Sequence, residues 1–231
     1  MVAAGLMTVG LIDAAPRAAA QATVRRPVVA ELFTSQGCSS CPPAEALLGE
    51  IAMTRPDVLP LAFHVTYWDR LGWPDPFSLA AATARQRAYA ASLRLDELYT
   101  PELVVDGQRD VVGSDRAGVF AALSASRPAA AAAVPLHLAR TDAGINIAVG
   151  AGSGTGALLL LGYDSARRTA VARGENGGRT LLETNIVRAI VPLGTWQGAP
   201  LVRVAPRPAG EHFAVLLQAP DGRMLGAAAL E

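Results

Sequence analysis

The sequence predicts an α/β domain followed by a small β-sandwich domain, and three observations carry that reading. Strand-like and helix-like segments alternate through the first half. A Cys-x-x-Cys motif, Cys38-Ser39-Ser40-Cys41, falls at the first strand-to-helix junction. Beyond an Ala-rich stretch bracketed by prolines, Arg127 to Pro135, short apolar runs alternate with Gly-, Asp- and Asn-rich turns. A chain of 231 residues suits one large or two modest domains.

Val28 to Phe33 is short, apolar and β-branched, and reads as a strand. Ala44 to Ala52 places Leu47, Leu48 and Ile51 at helical spacing. Pro42 and Pro43 fit the first turn of that helix, where backbone N–H groups have no intrahelical partner, so the helix is expected to start at about Ser39 to Cys41. Val58 to Val65 is a second strand, apolar throughout, as burial on both faces requires. Phe77 to Leu95 reads as helical, with Arg85, Gln86 and Arg87 on a polar side. Leu103 to Val105, an Asp106-Gly107 turn and Asp110 to Val112 form a predicted hairpin. Ser114 is the expected cap of a last helix through Val119, Phe120 and Leu123.

The early crossover implies parallel strands, and the hairpin adds an antiparallel edge. That order suits a thioredoxin-like sheet over residues 23–127. A linker over 128–134 and a β-sandwich over 135–231 complete the expected organisation. The sandwich strands are Leu136 to Ala139, Ile145 to Val149, Leu158 to Tyr163, Ile186 to Val191, Leu201 to Val204 and Phe213 to Gln218.

Hydrophobic residues make up 51% of the chain and charged ones 17%, enough apolar material for a core and too much for disorder. Acidic and basic residues balance at 20 each, every basic residue is Arg, and no basic stripe stands out. Nucleic acid is therefore not an expected partner. Val2 to Ile12 is an apolar run of signal-peptide length, and Ala20-Gln21-Ala22 offers a small-x-small cleavage pattern, although a positive n-region is missing. Residues 1–22 are thus read as a signal peptide and the mature protein as periplasmic or secreted. Asp13 ends the run short of the roughly 20 apolar residues a membrane span needs, so no stable membrane insertion is expected. In an oxidising compartment a disulfide persists.

The two cysteines are the only ones in the chain. A thiolate at a helix N-terminus meets unpaired N–H groups and partial positive charge, which makes Cys38 the natural nucleophile and Cys41 the resolving thiol. Structural zinc is disfavoured: there is no second cysteine pair, and only His64, His137 and His212 remain as nitrogen ligands. No metal or cofactor is expected. A fixed structural disulfide is the other alternative, but so short a loop adds little stability. Thr100-Pro101, just before the hairpin, stands where a thioredoxin fold carries a cis-proline facing the cysteines, whereas X-Pro bonds are cis only about 5–6% of the time by default.

Glu31, in the strand leading to the cysteines, is a candidate proton acceptor for Cys41 if buried; the alternative is an acid facing solvent or paired with an Arg. His64, Tyr67, Trp68 and Asp69 follow the second strand and are candidate substrate-binding residues at the rim, against the alternative of a satisfied core histidine. In the second half Arg173, Glu175, Arg179, Asn185 and Arg188 form a polar set, read chiefly as a network fixing strand register.

The strings ELFTSQGCSSCPPA (Glu31 to Ala44), FHVTYWDRLGWPDPF (Phe63 to Phe77), YTPELVVDG (Tyr99 to Gly107) and GENGGRTLLETNIVR (Gly174 to Arg188) resemble a secreted, thioredoxin-like bacterial family. It is the domain-of-unknown-function family numbered twelve twenty-three, and the resemblance spans nearly the whole mature chain. It implies the same fold and the same placement of the cis-proline and the cysteines, and it implies no particular substrate.

The leading expectation is a thiol–disulfide oxidoreductase acting on protein or small-molecule thiols, with Cys38 attacking, Cys41 resolving and Thr100-Pro101 orienting the substrate. A copper-handling protein is the second expectation, since soft thiolates suit Cu(I) and His64 would be a third ligand. A binding module whose β-domain recognises an envelope partner is the third.

Overall fold

Two neighbouring strands with no polar face form the centre of the molecule. In the computed structural model, which describes residues 26–126 and 133–230, β1 (Val28–Thr34) and β2 (Val58–His64) are buried at every position. They run parallel in strict register, Val28 beside Val58 through Thr34 beside His64. Their alternate residues build two cores. Ala30, Leu32 and Ala62 pack beneath α1 (Pro42–Thr54) with Leu47, Leu48 and Ile51. Val29, Phe33, Leu61 and Phe63 face the other way with Ala82 and Tyr89 of α2 (Ala80–Leu93). The expected signal peptide over 1–22, and most of the expected linker, lie outside the described residues.

The helix α2 is shorter than its predicted span. Asp75 accepts the Phe77 N–H at 2.9 Å and the His64 carbonyl accepts the Leu79 N–H at 3.0 Å, which holds the entry in a turn. Arg94, at φ 60°, ends the helix. The hairpin forms as predicted from β3 (Glu102–Val105) and β4 (Arg109–Val112). Asp106 and Gly107 both take positive φ, and a Cβ on Gly107 would stand 1.9 Å from the Gly222 carbonyl oxygen. Asp115, rather than Ser114, caps α3 (Arg116–Ala125): its carboxylate accepts the Gly118 N–H at 3.2 Å. A capping side chain must reach the N–H two or three residues ahead, and Ser114 lies one residue too early.

The second half supplies β5 (Leu136–Thr141), β6 (Gly144–Val149), β7 (Gly156–Ala170), β8 (Thr180–Trp196), β9 (Leu201–Ala205), β10 (His212–Gln218) and β11 (Met224–Leu230). No strand was expected over Met224 to Leu230, whose Gly-Ala-Ala-Ala centre lacks β-branched residues; pairing along β10 overrides that weak propensity. These strands do not all stay together. Four of them extend the first half's sheet, giving one eight-stranded, mixed sheet in the order β11-β10-β7-β8-β2-β1-β3-β4. The join is a parallel contact of β2 and β8 at Ala62 and Ile186. The remaining β5, β6 and β9 form a three-stranded sheet that packs around Ile145, Ile147, Leu158, Leu160, Trp196 and Val215. Among the described residues no helix is long and apolar enough to cross a membrane.

The length of β7 and β8, 15 and 17 residues, matters for the site. Their far end carries the turn between Ala170 and Thr180 back over the start of α1.

Candidate functional site

The loop from β1 to α1 winds tightly because its own groups bond inward. Ser35 Oγ accepts the Gly37 N–H at 3.1 Å, the Ser35 carbonyl accepts the Cys38 N–H at 3.1 Å, and the Cys38 carbonyl accepts the Cys41 N–H at 3.2 Å. Cys41 is the residue before the first turn of α1, with Pro42 and Pro43 following it. Cys38 and Cys41 are joined in a disulfide. Thr100-Pro101 is cis, and the Thr100 carbonyl oxygen lies 3.9 Å from Cys38 Sγ. Trp68 closes the same edge by donating from Nε1 to Thr100 Oγ1 at 2.9 Å. The Ser40 hydroxyl lies 3.3 Å from Cys38 Sγ.

The disulfide is covered: Cys38 is 0% exposed and Cys41 1%. Part of the cover comes from the second half. Asn176 Nδ2 donates to both the Gln36 and Cys38 carbonyls at 2.9 Å, and the Glu175 carboxylate accepts the Ser39 N–H at 3.0 Å. The hydrogen bonds from Ser39 hold Glu175 below the usual carboxylate range. Arg179 steadies this turn by donating to Asn176 Oδ1 at 2.7 Å. Of the remaining polar set, Asn185 bonds the Pro60 carbonyl at 2.8 Å and Arg188 bonds Asp164 at 2.6 Å, as register-fixing groups would.

The predicted rim residues do not act as one group. Trp68 stands at the cysteines. Tyr67 donates to Gln86 Oε1 at 3.2 Å, and Asp69 accepts from the Asp75 N–H and the Ser78 hydroxyl, tying down the 69–78 loop. His64 is fully buried, with Nδ1 2.7 Å from Asp75 Oδ2. Glu31 takes the second of its two expected places, paired with an Arg. Residues 29, 31 and 33 of β1 face α2, opposite the cysteine-bearing helix, and the Glu31 carboxylate is taken up by Arg85 and by the Tyr89 hydroxyl.

The acids on the cysteine side were not picked out from the sequence. Glu45 lies one helical turn beyond Cys41, Asp75 sits between two prolines, and Glu183 is on β8. They surround His64. Asp75 Oδ2 lies 2.7 Å from His64 Nδ1, while Glu45 Oε1 and Glu183 Oε1 lie 3.8 and 4.0 Å from Nε2. Burial opposes charge on the imidazole, but Asp75 and then the two glutamates outweigh it and push His64 up to about 9. Burial drives Glu183 up to about 7 and raises Glu45, where His64 and the Thr34 hydroxyl offset it only in part.

An eight-stranded mixed α/β sheet with a disulfide-bonded Cys-x-x-Cys at a helix start, beside a cis-proline, sets the class of this protein. The chain belongs to the family described as protein of unknown function (DUF1223), whose model matches residues 29–218. Among solved structures it is similar to protein AGR_C_4864 from Agrobacterium tumefaciens, at 30% identity and a TM-score of 0.77, over 88% of this chain and 93% of that one. It is similar in fold to HBP35 of Porphyromonas gingivalis, with a TM-score of 0.58 and 13% identity over 89% of this chain and 75% of that one. No curated protein matches the chain.

Proposed function

We propose that this chain is an exported thiol–disulfide oxidoreductase built on a thioredoxin-like unit, residues 23–127, whose sheet is extended by a β-sandwich-like second half, residues 135–231. The observation that carries the reading is the Cys38–Cys41 disulfide at the start of α1, with the Thr100 carbonyl of a cis Thr100-Pro101 bond 3.9 Å from Cys38 Sγ. Export rests on the apolar run Val2 to Ile12 and on Ala20-Gln21-Ala22.

In the reduced protein the Cys38 thiolate is favoured by the positive end of α1 and by the Ser40 hydroxyl 3.3 Å from its sulfur. It attacks one sulfur of a substrate disulfide and expels the other as a thiolate. The Cys41 thiolate then attacks Cys38 Sγ, releases the second substrate sulfur and closes the Cys38–Cys41 bond. Two electrons and two protons pass to the substrate, and the reverse sequence oxidises a substrate dithiol. The substrate chain lies along Thr100-Pro101. Because Cys38 is buried, the exchange requires the cover formed by Trp68 and the Asn176 turn to open.

The test is trapping. Cys41→Ser, offered disulfide-bonded protein or glutathione disulfide, accumulates a mixed disulfide on Cys38 that reductant removes, visible by intact mass. Cys38→Ser accumulates none. Absence of a Cys38 adduct with every such substrate sinks the proposal.

A further inference from the structure

We propose that Glu45, His64 and Glu183 form a buried binding site for one divalent cation of the zinc class, separate from the cysteines. One ligand atom from each residue lies within 4.8 Å of the others, and all three residues are buried. They come from α1, β2 and β8, so the site spans the join between the two halves of the sheet.

A cluster of acids alone is no site; here the orphaned atoms make the case. His64 Nε2 and both Glu45 carboxylate oxygens are buried without a hydrogen-bond partner. Buried polar atoms are almost always satisfied, so the unpartnered His64 Nε2 and Glu45 Oε1 facing each other at 3.8 Å need an occupant. The other atoms of the site are held. Asp75 Oδ2 accepts from His64 Nδ1 at 2.7 Å, which turns Nε2 toward the glutamates, where a cation would displace its proton, and Asp75 also accepts the Gln36 N–H at 2.8 Å. Glu183 Oε2 accepts from Gln36 Nε2 at 2.9 Å and leaves Oε1 turned toward His64. A carboxylate behind the distal imidazole nitrogen is the usual support of a metal-bound histidine.

The spacing decides between occupants. At 3.8 and 4.0 Å, His64 Nε2 is too far from either glutamate for a hydrogen bond, so a shared proton does not close the cluster. With two edges of 3.8 and 4.0 Å and the third within 4.8 Å, the centre of the triangle lies within about 2.5 Å of each corner, too close for a water in that plane but near the roughly 2.0–2.2 Å of zinc–nitrogen and zinc–oxygen bonds. A contraction of a few tenths of an ångström completes the geometry. The two ligating carboxylates balance a dication, and the imidazole favours zinc or iron over magnesium, calcium or manganese, which prefer oxygen ligands.

The test uses the Cys38→Ser/Cys41→Ser variant of the full chain, so that no thiolate competes. The protein is unfolded with chelator, refolded with Zn²⁺ or Co²⁺, and passed through gel filtration. The expected result is about one metal ion per chain, a raised melting temperature, and Co²⁺ d–d bands with no sulfur charge-transfer band. Glu45→Gln and Glu183→Gln, each checked for the native circular dichroism, lose bound metal, and Asp75→Asn weakens binding about 10–100-fold. Should refolding fail, the same content is measured on protein expressed in zinc-supplemented medium. Less than about a tenth of an equivalent, or equal content in a Glu45→Gln/Glu183→Gln double variant, overturns the proposal.

Discussion

Two buried acidic clusters flank the same pair of strands, and they are finished differently. On the α2 face Glu31 is closed on all sides. Tyr89 donates to it at 2.5 Å, Arg85 donates to it twice, and Gln218 bridges Arg85 Nη1 at 3.0 Å and the Tyr89 hydroxyl at 2.8 Å. One acid meets one guanidinium, and no atom of Glu31 is left over. On the α1 face three carboxylates, from Glu45, Asp75 and Glu183, surround one histidine, and several atoms go without partners. A closed cluster stabilises the fold by what it already contains. An open one, in which three carboxylates face a single imidazole, leaves buried atoms unpartnered that a bound cation would satisfy.

Breaking the closed cluster gives the largest expected effect. Arg85→Met leaves Glu31 buried without its cation and is expected to cost about 3–5 kcal/mol of unfolding free energy. Arg85→Met combined with Glu31→Leu recovers most of that loss, because no charge is then stranded. Urea unfolding of both variants checks this. A double variant as unstable as the single one would mean that packing, and not charge, dominates on that face.

Glu102 is an intermediate case and sharpens the contrast. It shares the α2 face, Gln86 donates to Oε2 at 2.7 Å, and Oε1 has no partner and no cation. Burial raises it to about 7. The folded protein therefore holds this proton through a window in which the unfolded chain, near the ordinary carboxyl value of 4.5, has released it. Its contribution to stability falls as pH rises from about 4.5 to about 7, and the full cost is present above that. Glu102→Gln removes the cost. With allowance for screening, the variant is expected to be about 1–2 kcal/mol more stable than the parent at pH 8 and nearly equal at pH 4.5. Urea midpoints at the two pH values that differ from the parent by the same amount would refute this assignment.

Much of the frame was legible because it depends on local pattern. The apolar runs of β1 and β2, the Asp106-Gly107 turn, the prolines after Cys41 and the bond before Pro101 each signal through neighbouring residues. The clusters depend on which way a side chain faces, and a one-residue change in strand parity reverses that. For Glu31 the sequence leaves open an acceptor for Cys41 or a partner of an Arg, and the period of two along β1 decides it by turning the side chain toward α2 and Arg85. Glu183 is harder still: Leu182 is 51% exposed while Glu183 is 1% exposed, the reverse of what hydrophobicity predicts. The joining of β8 to β2 was hidden for a related reason. Non-local parallel pairing leaves no sequence signature at either strand, so the second half read as a sandwich of its own.

The smallest expected effect is the most discriminating. In the metal-free protein Glu45→Gln keeps the side-chain shape and removes a carboxylate that has no hydrogen bond to lose. It relieves repulsion from Asp75 and the cost of burial but forfeits attraction to His64 and to the Thr34 hydroxyl, four influences that act on the same carboxyl. These oppose one another, so the unfolding free energy should change by no more than about 1 kcal/mol in either direction. That is well below the loss expected for Arg85→Met, although Glu45 is as deeply buried as the groups around Glu31. A loss of 3 kcal/mol or more, measured by urea unfolding in chelator (about the size expected when a buried pair is broken), would show that the α1 cluster is already complete as a structural network, and the distinction between the two faces would fall.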